Sequence, residues 1–147
     1  MLSVIILGGT FLGCNANNSE NLNYKELIIN NQNCNPSYFD FSNQDMRVSL
    51  VDILSEIGFN VEWVNKEKAT LQFNDSIYTL DISEKTLCRQ DDTFNLLMPA
   101  PGTKNYFCEV IEEKLWIDLT TLSSFLSLCK IPATFSFSQP SIVITIG

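Results

Sequence analysis

The sequence predicts an α+β fold in which two imperfect strand-helix-hairpin repeats form antiparallel sheet packed on two helices. Two stretches place apolar residues at helical spacing: Leu50, Ile53, Leu54 and Ile57, then Leu119, Leu122, Phe125 and Leu126. Each is followed by segments in which apolar and polar residues alternate, the period of a strand with one buried face. The 147 residues are 45% apolar and include ten Phe, enough to bury one sizeable core.

The first 23 residues read as an address. Residues 2–7 are an apolar run, followed by Gly8-Gly9-Thr10-Phe11-Leu12-Gly13-Cys14 and then by the polar stretch Asn15-Ala16-Asn17-Asn18-Ser19-Glu20-Asn21. Such a segment is too short to span a bilayer as a helix and suits the apolar centre of a signal peptide. Phe11-Leu12-Gly13-Cys14 resembles a bacterial lipobox, which makes Cys14 the expected lipid attachment point and the polar stretch a tether. The expected location is outside the cell, lipid-anchored at the surface or secreted.

Residues 24–30, centred on Leu27, Ile28 and Ile29, predict a strand, and Asn30-Asn31-Gln32-Asn33 a turn. Residues 38–41 predict a second, shorter strand. A helix over 49–57 starts at Ser49, with Asp52 three residues on, and stops at Gly58. Phe59, Val61 and Trp63 alternate with Asn60 and Glu62, which predicts a strand that turns Trp63 toward the core. Strands over 70–73 and 77–82 complete a meander.

Leu115-Trp116-Ile117 leads into a second helix over 118–129, after which Pro132 takes part of the role of Gly58. Ala133, Phe135 and Phe137 alternate, and residues 142–146 close the chain. The first unit, 24–83, corresponds to the second, 84–147, with Leu50, Ile53 and Ile57 answering Leu119, Leu122 and Leu126. Residues 89–105 break the periodicity and read as an inserted loop carrying Asp91-Asp92 and Met98-Pro99-Ala100-Pro101-Gly102.

Composition excludes several functions. Nine Lys and Arg stand against seventeen Asp and Glu, a net charge of −8 with no basic cluster, so nucleic acid is not an expected partner. A membrane is expected to matter only through the lipid anchor. There is no histidine, which removes Ser-His-Asp triads, Cys-His dyads and His-rich metal sites. Beyond Cys14, the four cysteines Cys34, Cys88, Cys108 and Cys129 include no Cys-x-x-Cys pair. Cys88 and Cys108 flank the inserted loop and are candidates for a disulfide at its base, with free buried thiols as the alternative.

Val48-Ser49-Leu50, the helix ending Ile57-Gly58, Val61-Glu62-Trp63 and the Lys-bearing turn before Thr70-Leu71-Gln72-Phe73 together resemble the copper amine oxidase N-terminal-like domain of exported bacterial proteins. The resemblance covers residues 24–146 as two units, the first carrying most of it. It implies an accessory or stalk module, a sheet curling against helix, without a copper or quinone centre and without any other cofactor.

The expected function is therefore non-catalytic: binding or spacing in the cell envelope, with an envelope component or a protein as partner. An inhibitor or immunity-type protein that plugs a partner with loop 89–105 is the alternative. An enzyme would require two carboxylates converging on a concave face. Asp91-Asp92 with Glu109, Glu112 and Glu113 lack the spacing of a calcium loop and read as solvated surface. Trp116, between Leu115 and Ile117, is the expected exposed anchor for a ligand.

Overall fold

The computed structural model describes residues 23–42, 44–98 and 106–147. In chain order these form β1 (Glu26–Ile29), β2 (Gln32–Asn33), a 3-10 turn (Pro36–Tyr38), β3 (Phe39–Asp40), β4 (Arg47–Ser49) and α1 (Leu50–Ile57). Then come β5 (Asn60–Trp63), β6 (Lys68–Phe73), β7 (Ser76–Asp81), β8 (Thr86–Arg89), β9 (Cys108–Ile111) and β10 (Lys114–Asp118). The last elements are α2 (Leu119–Leu128), β11 (Ala133–Ser138) and β12 (Ser141–Ile146). The class is α+β.

Three four-stranded sheets share the work. The central one runs β3-β4-β10-β9, a second β5-β6-β7-β8 and a third β11-β12-β1-β2. In the central sheet Ser49, Val48 and Arg47 lie opposite Trp116, Ile117 and Asp118 in antiparallel register. Both strands of this pair run directly into a helix, so α1 and α2 leave from opposite ends of it. Helix α1 packs on β10, β4 and β5, and α2 packs on β10 and β11. Val48, Ile117, Leu50, Ile53, Leu122 and Phe125 are sealed from solvent in one continuous core.

Local chemistry sets the helix ends. The Asp118 carboxylate accepts the Thr121 N–H at 2.7 Å and caps α2. Ser49 precedes α1 but bonds no backbone N–H; its hydroxyl donates to Asp52 Oδ2 at 2.8 Å. The same oxygen receives Lys114 Nζ, which draws the carboxylate across to β10. Gly58 ends α1 at φ 126°, its N–H bonding Leu54 O, a backbone state costly for any residue with a Cβ. After α2 the left-handed residue is Lys130, at φ 59°, so it and not Pro132 turns the chain.

The structure also departs from the expected sheet. β1 joins β12 in parallel, Glu26 opposite Ser141 through Ile29 opposite Ile144, so the sheets are not uniformly antiparallel. β8 and β9 are strands in stretches flanking the expected loop, to which no element had been assigned. The first part of the 89–105 loop is packed down: Leu96 and Leu97 are buried, Leu96 N–H bonds Leu87 O, and Asn95 bridges Leu87 and Lys85. The signal-like segment, with Cys14, lies outside the described residues.

Phe125 touches both Phe59 and Tyr78 edge-on or tilted, 6.1 Å between ring centres in each case, and ties α2 to the second sheet. Phe125→Ala is expected to lower stability by about 3–5 kcal/mol, the usual loss for a buried Phe. Trp63→Ala, at a half-exposed position, is expected to cost less than about 1.5 kcal/mol. Urea denaturation of the two variants checks the contrast.

Candidate functional site

The two tryptophans exchange the places that alternation suggested. Trp63 is 49% exposed, whereas Trp116 is partly covered on the central strand β10. Trp63 does share a face with buried Phe59, as its period predicts, with Val61 between them. Its strand, however, is the outer strand of its sheet, so the indole is half-exposed although Ala69 opposite it is buried. Trp116 is hemmed by Ser49 on one neighbouring strand and Glu109 on the other.

Trp63 borders a groove of about 430 Å³ between the start of α1, the end of β5 and the β9–β10 turn. Ser49, Asp52, Glu112, Glu113 and Lys114 also line it. Trp63 and Glu113 further line a second hollow with Asn65 and Lys66. Backbone pairing fixes where the indole leaves the strand. Trp63 lies opposite Ala69, and the turn that follows is fastened by Asn65 Oδ1, which accepts the N–H groups of Glu67 and Lys68 at 2.8 and 2.9 Å.

The facing wall is a two-residue turn, since Ile111 and Lys114 pair directly across it. Its central residues Glu112 and Glu113 have φ of 52° and 67°. Both positive values make it the mirror-image turn that suits a twisted hairpin and that Asn-Gly usually fills. A non-glycine residue there costs about 1 kcal/mol or more. Across the groove, Lys114 Nζ sits 2.8 Å from Asp52 Oδ2, so this ammonium and this carboxylate satisfy each other. Glu112 and Glu113 form no ion pair among the described residues, and both are exposed.

The acidic set is thereby divided. Glu109 pairs with Lys85 at 2.9 Å, Asp92 accepts the Phe94 N–H, and Glu112 and Glu113 face Trp63. Among the described residues no three Cys, Asp or Glu side chains gather as metal donors. No helix of the described residues is long and apolar enough to cross a membrane.

No protein-family model, curated protein or solved structure matches this chain. Its chemistry has to be argued from its own side chains.

Cys34, Cys88, Cys108 and Cys129 are free thiols. Cys88 and Cys108 stand on β8 and β9, in different sheets, and the disulfide considered between them is not formed. Burial pushes all four thiols upward; Cys34 reaches about 11, with the Glu56 carboxylate adding to the shift. At Cys129 the Tyr78 hydroxyl and the Arg89 guanidinium offset part of it. At neutral pH these are apolar fillers and poor nucleophiles.

A thiol with a raised folded pKa stabilises the fold below its unfolded value and loses that contribution as pH climbs through the folded one. Urea midpoints are therefore expected to fall between about pH 9 and 11. Replacing Cys34 with Ala should flatten part of that fall, which the same titration measures.

Proposed function

We propose that this chain is a non-catalytic, exported binding module of the cell envelope, a divergent two-unit relative of the copper amine oxidase N-terminal-like domain. The observation that carries the binding role is Trp63, a half-exposed indole lining a groove at the end of the edge strand β5. Exposed aromatic surface on a paired strand has few rotatable bonds and loses little entropy on meeting a ligand.

The two-unit reading draws support from the order of elements. β4, α1 and the β5–β6 hairpin are followed later by β10, α2 and the β11–β12 hairpin. Val48 and Ile117, equivalent at the offset that relates the two helices, lie opposite each other in the central sheet. Such self-pairing is what an approximate two-fold axis between two units would produce. The second unit recruits β1 from the start of the domain in place of a third meander strand.

The groove does bring carboxylates together on a concave face, the condition named for an enzyme. Asp52 is occupied by Lys114 and Ser49, and the two glutamates sit exposed on a turn, without separation from bulk water. That arrangement favours binding over acid–base work. The inhibitor alternative is favoured by Phe94 and Met98, large apolar residues left exposed on the described part of the 89–105 loop, and by exposed Tyr106 directly after it.

Pull-down from envelope extracts separates these readings. Trp63→Ala is expected to lose capture by at least about tenfold, the scale of an aromatic anchor, while shortening the 99–105 segment leaves it intact. The reverse pattern supports the inhibitor. Turnover of an envelope polymer that disappears in Glu113→Gln would restore the enzyme.

A further inference from the structure

We infer that the Trp63 groove is a receptor for a cationic side chain, a lysine or arginine presented by a basic segment of a partner protein. The inference rests on the binding role proposed above and names its ligand class. Its first support is charge: the groove holds the three carboxylates of Asp52, Glu112 and Glu113 against the one ammonium of Lys114. That ammonium is already engaged by Asp52, and neither Glu112 nor Glu113 forms an ion pair among the described residues, although Glu113 also lines the neighbouring hollow with Lys66.

The second support is the ring. An indole presents a negative face, and a cation over it gains from the ring quadrupole as well as from burial of its carbon stem. Trp63 and the two glutamates line the same groove, so an ammonium or guanidinium entering it comes within reach of both the ring and the carboxylates. Lys66 does not line the groove, but it shares the second hollow with Trp63 and Glu113, so an entering cation competes with it for Glu113.

The third support is the field of the whole chain. A net charge of −8 steers basic segments toward the surface and repels a second copy of the same protein. The strained turn keeps both glutamates next to each other at the rim. Aspartate or asparagine followed by glycine would form the same turn with less strain and one carboxylate at most.

The test uses a capped synthetic peptide of alternating lysine and serine, and a matched peptide with glutamine for lysine. In a Trp116→Phe background only Trp63 reports by fluorescence. The lysine peptide is expected to change that emission saturably, and the change should weaken by tenfold or more when salt rises from about 0.05 to 0.5 M. Glu112→Gln with Glu113→Gln should weaken binding at least about tenfold; Trp63→Ala, followed with a labelled peptide, should do the same.

Equal binding of the glutamine peptide, unaltered affinity in the double glutamine variant, or saturable binding of chitotriose in place of the lysine peptide would overturn the inference. Envelope capture that depends on Trp63 while the lysine peptide fails to bind refutes the ligand class and leaves the binding role standing. Peptide binding with envelope capture indifferent to Trp63 does the opposite. Circular dichroism of each variant separates lost binding from lost folding.

Discussion

The fold depends on three facing residue pairs between β4 and β10. Val48 and Ile117 at their centre are both fully buried, and the flanking Ser49 and Asp118 are buried polar residues at the starts of the two helices. Because each strand passes into its helix without a linker, this short ladder fixes where α1 and α2 begin and which ends they leave from. Asp118 does most. It caps α2, accepts the Phe107 N–H at 2.8 Å, and lies opposite Arg47, whose guanidinium stacks 3.8 Å over the Phe107 ring. One carboxylate thus joins a strand, a helix and the chain that returns from the loop.

The groove follows from the same ladder. β10 begins at Lys114, immediately after the strained turn, and α1 begins immediately after Ser49, so the turn and the helix start lie side by side. The Lys114–Asp52 ion pair spans that junction and is half in water, worth about 1 kcal/mol or less as an exposed pair. Its larger consequence is positional. It spends the local ammonium on Asp52 and leaves the glutamates to face Trp63.

Much of this was legible from residue order. The helices stood out because their apolar positions recur every three or four residues, and Gly58 marked a stop that only a residue without Cβ fills cheaply. β8 and β9 did not, since Thr86-Leu87-Cys88-Arg89 and Cys108-Glu109-Val110-Ile111 are four residues each and show no sustained alternation. The parallel pairing of β1 with β12 is a contact between distant parts of the chain, which no local pattern reports. Alternation correctly assigned Trp63 to the Phe59 face. It carries no information on which strand lies at the edge of a sheet, and so the exposed indole was assigned to Trp116. The groove itself joins residues from three separate stretches, with only the acidity of Glu112-Glu113 visible beforehand.

The parallel β1–β12 pair has a mechanical meaning. A load applied between Glu26 and Ile146 pulls the two strands lengthwise past each other, because their starts face each other and the force enters one start and leaves the other end. Every cross-strand bond is then stretched at once, and none can open ahead of the rest as in an unzipping hairpin. This pair therefore resists lengthwise separation more than a hairpin peeled open from one end.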